Sequence, residues 1–322
     1  MRPWMTVIID AIHTSAFLSS QTQGREMNKT TLTLAVLLGL TSTHIYAVQD
    51  TAYQHEAEVT YAGSSESFSD GTWNGQYRYY FTSVNQDSAP YALSGFLAQT
   101  SNLGGQYSKL DVDVDADFTT YAIDGEYVFE DKWYIGARYQ NADWDNLITK
   151  TESDTYTYEV TLGYYFNDTS SVYVNYGKYG NTTQPKYMTS LNDISKTEVD
   201  TTSYGIGVKS YLPLSSGQGI LFSALFSHSS SDAKVISPTD EYQSSDSSDS
   251  LSAAVDWYIT RSWSVGATYA TSFDSDWDDP YGINTAYTLR ITDGLSAKFN
   301  LTKQLEPDMD GVFAAIGING RF

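Results

Sequence analysis

The chain has 322 residues, no cysteine and a formal net charge of −21 at neutral pH. This acidic excess excludes a nucleic-acid-binding surface, because phosphate groups are bound by Lys and Arg. The absence of cysteine excludes disulfide support, so burial and backbone hydrogen bonds must hold the fold together.

The first residues have the features of a secretory signal. Residues 27–29 form a short positive start, residues 32–40 are apolar, and a cleavage site follows Ala47. The apolar run is too short to cross a bilayer as a helix, which requires about 20 residues. We therefore interpret it as the core of a signal peptide.

These features divide the chain into three parts. We predict that residues 1–26 are an upstream extension from a misplaced start codon and that residues 27–47 are the signal peptide. Residues 48–322 are then the mature protein, with 15 basic and 37 acidic residues. The alternative is one long leader that begins at Met1.

Apolar and polar residues alternate along most of the mature chain. A two-residue period is typical of a strand with one apolar and one polar face. In the first strand, for example, Tyr53, His55 and Tyr61 share the apolar face. The predicted strands cover residues 53–61, 76–81, 109–114, 119–129, 133–140, 156–166, 172–176, 204–212, 219–229, 251–259, 263–269, 283–291, 295–301 and 312–322. The facing of strand 219–229 stays open, because it is apolar on both parities.

These 14 strands predict an all-β fold, a transmembrane antiparallel up-and-down β-barrel, with 12 or 16 strands as alternatives. A closed barrel pairs every backbone group, as the interior of a bilayer requires. Tight turns follow most even-numbered strands, and long polar stretches, predicted as outer loops, follow odd-numbered ones at 63–71, 181–195 and 231–250. Residues 84–92, which contain Pro90, form a longer even-numbered link and are the exception.

If the apolar faces contact lipid, the opposite faces line the lumen. We predict a nearly balanced set of lumen charges, and so a wet pore, because burying these groups dry and unpaired would cost several kcal/mol each. The predicted acids are Glu56, Glu58, Asp111, Asp113, Asp124, Glu126, Glu159 and Asp256. The predicted bases are Arg78, Lys109, Arg138, Lys209, Arg290, Lys298 and Arg321.

Most of the remaining negative charge falls in the predicted loops. The stretch 231–250 carries five acids and one base, Lys234, and residues 274–279 carry four more acids. A negative mouth concentrates cations, so we predict a mild cation preference; the alternative is that these are ordinary solvated surface charges.

The alternating aspartates from Asp111 to Asp117 invite comparison with a calcium loop. That loop requires Gly at position 6 and Glu at position 12, and here Ala116 and Ala122 occupy those positions. We therefore predict no metal site and no cofactor. These aspartates are then a solvated acidic strip. The alternative is that they share a divalent cation with lipopolysaccharide.

Histidine chemistry gives little support to catalysis. The mature chain has two histidines, His55 and His228, and neighbouring residues in a strand point to opposite faces. Ser227 and Ser229 therefore cannot form a simple nucleophile–base pair with His228. We predict that the protein is not an enzyme.

The chain ends in a strand that closes on Phe322. Such an ending resembles the carboxyl-terminal signal of Gram-negative outer-membrane β-barrels, which the barrel assembly machinery recognises. The segment Ala89-Pro90-Tyr91-Ala92-Leu93-Ser94-Gly95-Phe96-Leu97 is similar to a Pro-Leu-Ala-x-x-x-Phe-Leu element, with Tyr91 in place of Leu. With the leader that ends at Ala47, these features resemble the general bacterial porin family of gammaproteobacterial outer-membrane β-barrels.

The resemblance implies a passive channel in the outer membrane of a Gram-negative bacterium. Its expected partners are outer-membrane lipid and lipopolysaccharide, the barrel assembly machinery, and small solutes or ions, with a homo-oligomer possible in principle and no nucleic acid. The alternative from another class is a structural, adhesive or ligand-binding barrel with a plugged lumen.

Overall fold

The computed structural model describes residues 52–87, 89–112, 116–146, 151–185, 196–215, 217–237, 240–273 and 279–322. Within them lie fourteen strands, two short 3-10 turns and one four-residue helix, α1. The strands are β1 (Ala52–Ser64), β2 (Thr72–Asn85), β3 (Asn102–Val112), β4 (Ala116–Val128), β5 (Trp133–Asn146), β6 (Thr151–Asn167), β7 (Ser170–Pro185), β8 (Lys196–Ser215), β9 (Gln218–Ile236), β10 (Glu241–Tyr258), β11 (Trp263–Ser272), β12 (Tyr281–Arg290), β13 (Leu295–Glu306) and β14 (Phe313–Arg321). The 3-10 turns cover Phe68–Asp70 and Tyr91–Leu93, and α1 covers Ser94–Leu97.

Each strand pairs antiparallel with its neighbours in sequence, and β1 pairs with β14 to close the barrel. This seam runs in register from Glu56 opposite Arg321 to Ser64 opposite Phe313. The predicted 14-strand up-and-down barrel is confirmed. In the described part of the chain, no helix is both long and apolar enough to span a bilayer.

The outer surface of the barrel is apolar. Large side chains such as Ile123 and Ile206, each 54% exposed, alternate with buried or half-buried polar residues such as Thr120. Such a surface is stable only against lipid, because water would solvate it poorly. The same alternation settles the facing of β9, where Phe222 points outward and Leu221 points inward and is buried.

Two ends of the barrel differ in how the strands are joined. Short turns join β4 to β5, β6 to β7, β8 to β9, β10 to β11 and β12 to β13, and we call this the turn end. The opposite end, the loop end, carries the links after odd-numbered strands. In bacterial barrels the short turns face the periplasm and the longer loops face outward.

The stretch 231–250, predicted as a loop, is instead a paired hairpin. Strands β9 and β10 continue in register from Asp249 opposite His228 to Glu241 opposite Ile236. The prediction was wrong because Ser and Asp give this stretch no apolar period, although its backbone still pairs. Strand β7 likewise extends to Pro185, and residues 186–195 lie outside the described residues.

A β-bulge interrupts β1 near its start. The backbone N–H groups of Gln54 and His55 both donate to the carbonyl of Phe322, at 3.1 and 2.8 Å. One extra residue on β1 reverses the facing of everything before it. Tyr53 therefore points into the barrel and is buried, whereas alternation alone predicted that it shares the lipid face with Tyr61.

The link between β2 and β3 enters the barrel at the turn end. We call residues 89–100 the inner segment; it contains the second 3-10 turn and α1. Leu93 is 0% exposed and packs against Tyr211, Leu221 and Tyr258, which are the inward residues of β8, β9 and β10. The inner segment thus crosses from β2 to the opposite wall.

Candidate functional site

The interior of the barrel is the candidate functional site, and its charges form defined pairs near the seam. Arg321 contacts Glu56 at 2.9 Å, and Lys298 contacts Glu58 at 2.6 Å. The amide of Asn319 donates to both carboxylates at 3.0 Å. The Glu58 side chain is only 1% exposed, so its charge depends on these partners.

A second ion pair lies on the neighbouring strands. Arg78 of β2 contacts Asp124 of β4 at 2.6 Å and also donates to the side chain of Asn102 on β3 between them. Because cross-strand neighbours share a face, the three side chains meet on the inner wall. Opposite charges on this part of the wall therefore compensate each other locally.

The other predicted lumen charges also point inward, but most have neutral partners. Glu126 accepts a hydrogen bond from the hydroxyl of Tyr165 at 2.8 Å, and Asp256 accepts one from Asn284 at 3.2 Å. The remaining contacts are Arg138 with Gln140, Glu159 with Thr161, and Lys209 over the ring of Phe96.

Lys109 does not face the lumen, and the prediction that it does was wrong. Leu103 and Tyr107, at the same parity of β3, are about half exposed on the lipid face, so Lys109 lies on the outer face. It pairs there with Asp117 at 3.5 Å. Asp111 is placed only by its backbone, which pairs with that of Asp117, and Asp113 lies outside the described residues. The assignment failed because Leu110, an apolar residue, has the inward parity of β3 together with the buried Gln106 and Ser108.

Three arginines hold the inner segment at the turn end. Arg321 donates to the carbonyl of Tyr91 at 2.9 Å, and Arg290 donates to the Tyr91 hydroxyl at 3.3 Å. Arg261, in the turn after β10, donates to the carbonyl of Ala89 at 3.2 Å and lies 4.7 Å from the centroid of the Tyr91 ring. Sequence reasoning missed Arg261, and no local pattern marks it, because its partner lies 172 residues away.

Farther along the inner segment, α1 contacts other strands. The side chain of Ser94 is within 2.9 Å of the Tyr53 hydroxyl, and Phe96 packs near Tyr165. Gln99 donates to the carbonyl of Asn167 in the turn after β6 at 2.7 Å. The segment therefore narrows the lumen at the turn end and is held from several sides.

The inner faces of β6 to β10 are chemically different from the seam. They carry many Ser and Thr side chains at inward positions between the inner segment and the loop end, fewest on β7, and we call this surface the hydroxyl wall. Its members are Ser153, Thr155, Thr157 and Thr161 of β6, Thr183 of β7, Thr197, Thr201 and Ser203 of β8, Ser223, Ser227, Ser229 and Ser231 of β9, and Ser244, Ser248, Ser250 and Ser252 of β10.

Electrostatic interactions outside the lipid zone are ordinary surface pairs. Lys132 contacts Asp168 at 2.7 Å at the turn end, and this hydrogen bond and charge lower the pKa of the Asp168 carboxyl. At the loop end, His228 contacts Asp249 at 2.8 Å on the outer face, with both side chains half exposed. Within the described ranges, no three His, Cys, Asp or Glu side chains are grouped so that they could hold a metal ion.

A closed antiparallel barrel with an apolar exterior and a polar interior defines the class of outer-membrane β-barrel proteins. The chain belongs to the family described as "putative general bacterial porin", whose profile matches residues 27–319. This confirms the resemblance, and the family is one of channel-like barrels. No curated protein matches the sequence.

Several solved structures share the fold. Omp33 of Acinetobacter baumannii is 20% identical, with a TM-score of 0.50 over 85% of this chain and 100% of its own. The CymD monoaromatic hydrocarbon channel is 9% identical, with a TM-score of 0.45 over 85% and 89% of the two chains. The translocator domain of NalP from Neisseria meningitidis is 10% identical, with a TM-score of 0.42 over 90% and 98%. At 20% identity, the similarity to Omp33 shows the barrel fold alone.

Proposed function

We propose that this porin-family barrel is a passive diffusion channel for small polar solutes in the outer membrane of a Gram-negative bacterium, with no enzymatic activity. The observation that carries the proposal is the polar inner wall of a closed 14-strand barrel. Barrels of this size are wider than the eight-strand barrels whose interiors side chains fill. A lumen that holds ion pairs and rows of hydroxyl groups is more stable filled with water than dry.

The proposed channel has a mild preference for cations. The hairpin of β9 and β10 at the loop end carries Asp232, Asp240, Glu241, Asp246 and Asp249. One base offsets them in part, since Lys234 contacts Glu241 at 3.0 Å. The remaining negative charge near the mouth raises the local concentration of cations.

Planar-bilayer recording with the refolded mature protein tests both statements. Discrete ohmic current steps, and a reversal potential of the sign for cations under a KCl gradient, are the expected results. A reversal potential of the opposite sign would overturn the cation preference while leaving the channel in place. Complete electrical silence would contradict the channel itself.

A second candidate is a ligand-binding or adhesive barrel with a plugged lumen. The specific observation in its favour is the inner segment, which contacts β2, β8, β9, β10 and three arginines. Under this alternative the wild-type protein gives no current, whereas a variant with residues 89–99 replaced by a short Gly-Ser linker, which removes the plug, gives current steps. Equal current from the wild type and the variant would contradict the plugged-lumen alternative.

The proposal includes the partners expected of such a barrel. Phe322 is the proposed recognition signal for the barrel assembly machinery, residues 27–47 are the proposed signal peptide, and outer-membrane lipid surrounds the apolar exterior. Acids on the outer face above the lipid zone, such as Asp117 and Asp143, would contact lipopolysaccharide. A homo-oligomer would use the same apolar exterior, and nucleic acid is not an expected partner.

A further inference from the structure

The hydroxyl wall covers five adjacent strands and has few charges. On the inward positions of β6 to β10, the charged side chains are Glu159, Lys209, Asp246 and Asp256. The seam half of the lumen is different, because its charges are paired as Glu56 with Arg321, Glu58 with Lys298, and Arg78 with Asp124. A solute that follows the hydroxyl wall therefore contacts mainly uncharged polar groups.

The hydroxyl groups of the wall pair across strands. Thr201 lies 2.6 Å from Ser231, and Ser229 lies 3.0 Å from Ser248. A hydroxyl has one donor hydrogen and two acceptor lone pairs, so a pair joined by one hydrogen bond keeps further capacity for hydrogen bonds. The wall can therefore exchange hydrogen bonds with a solute without breaking its own.

A hydroxyl group of a solute matches the hydroxyl groups of the wall, because each of them can both donate and accept a hydrogen bond. A charged solute, in contrast, would lose hydration along a wall that offers it few counter-charges, and this raises its free energy. We propose that the hydroxyl wall makes the channel selective for uncharged polyhydroxylated solutes, of the sugar and sugar-alcohol class, over ionic solutes of the same size. This inference rests on the proposed channel function and names its solute class.

Efflux of three six-carbon solutes from proteoliposomes tests the inference. Vesicles of the refolded mature protein are loaded with mannitol, gluconate or glucosamine, with KCl on both sides so that charge movement is balanced. We expect mannitol to leave about five-fold faster than either ion, the factor that about one additional hydrogen bond provides. Equal rates for the three solutes would overturn the inference.

A triple variant connects the selectivity to the wall. Thr201→Val with Ser227→Ala and Ser229→Ala removes inward hydroxyls, and we expect mannitol efflux to fall about five-fold while glucosamine efflux changes little. The matched control is Thr202→Val with Ser230→Ala and Ser247→Ala, at positions of the outward parity on β8, β9 and the neighbouring β10.

Heat-modifiable gel mobility establishes that both triple variants are folded barrels before efflux is compared. If the inward variant folds and mannitol efflux is unchanged, the hydroxyl wall does not select the solute. If the wild type conducts KCl but releases the three solutes equally, the channel stands and the solute class is wrong. If the wild type neither conducts KCl nor releases any solute, both the proposed channel function and the inferred solute class are wrong.

Discussion

Glu58 is almost fully buried on the inner face of the barrel. Its polar neighbours explain how a carboxylate can be buried there. Lys298 contacts one carboxylate oxygen at 2.6 Å, and Asn319 and Gln76 donate to the same oxygen at 3.0 and 3.4 Å. The sequence pattern predicted the inward facing of Glu58 and Lys298. It could not predict the contact between them, because that depends on how β1, β14 and β13 are aligned across the seam.

Lys298→Met should destabilise the barrel by about 3 kcal/mol, because it leaves the buried Glu58 carboxylate without its charge partner. The second change Glu58→Gln in the same chain should restore much of the loss, since no unpaired charge then remains. Urea titration in lipid vesicles, followed by tryptophan fluorescence, measures both. Lys132→Met is the matched control: its partner Asp168 is exposed, so the midpoint should not move measurably. A Lys298→Met midpoint equal to that of the control would contradict the assignment.

Tyr53 illustrates what alternation alone misses. Its parity matches that of Tyr61, yet the bulge at Gln54 and His55 turns it inward, where it packs with Tyr80 and Val84. The bulge forms against the terminal Phe322 carbonyl, so the residue that determines the facing of Tyr53 is at the other end of the chain. No local pattern in residues 52–61 predicts the inward facing of Tyr53.

Among the elements, the inner segment departs most from a simple barrel. The sequence predicted that residues 84–92 form an unusually long link with a proline. It did not predict that this link enters the barrel. The apolar residues that receive Leu93 and Leu97 lie on β8 to β10 and look like ordinary strand residues. The direction becomes visible only when the inward residues of distant strands are brought together.

Leu93→Ala should loosen the inner segment, because removing a fully buried leucine side chain costs about 2–5 kcal/mol. We expect faster amide hydrogen exchange across residues 89–100 and a larger single-channel conductance. Leu103→Ala is the matched control, since Leu103 is half exposed on the lipid face and does not touch the segment. Unchanged exchange in the Leu93→Ala variant would show that the segment is held mainly by the arginines.

The hairpin of β9 and β10 shows a different limit of sequence reasoning. A transmembrane strand needs about 9–11 residues, and these two strands have 19 and 18. Their outer halves are rich in Ser and Asp, which are uncommon in strands and favour loops. Backbone pairing with β8 and with each other outweighs that preference.

For the whole molecule, strand number, pairing order and the apolar exterior were predictable, because each follows from a two-residue period repeated fourteen times. The difference between the turn end and the loop end was predictable as well, since short and long links alternate along the chain. What could not be predicted was everything set by register: the ion pairs, the bulge and the contacts of the inner segment.

Single cysteines report the orientation of the barrel, because the natural chain has no thiol. Gln243→Cys, at the loop end, should react with a membrane-impermeant maleimide in intact cells. Asp168→Cys, at the turn end, should react only after the outer membrane is opened. Labelling of Asp168→Cys in intact cells, with Gln243→Cys protected, would mean that the barrel is inserted the other way round.

The last two residues of the chain have roles on both sides of the wall. Phe322 stacks on His55 on one side, with ring centroids 5.3 Å apart, while Arg321 holds Glu56 and the carbonyl of Tyr91 on the other. A polypeptide that lacks this dipeptide would lose one end of the β1–β14 seam and one fastening of the inner segment together. Truncation by two residues should therefore weaken closure of the cylinder and widen its constriction at the same time.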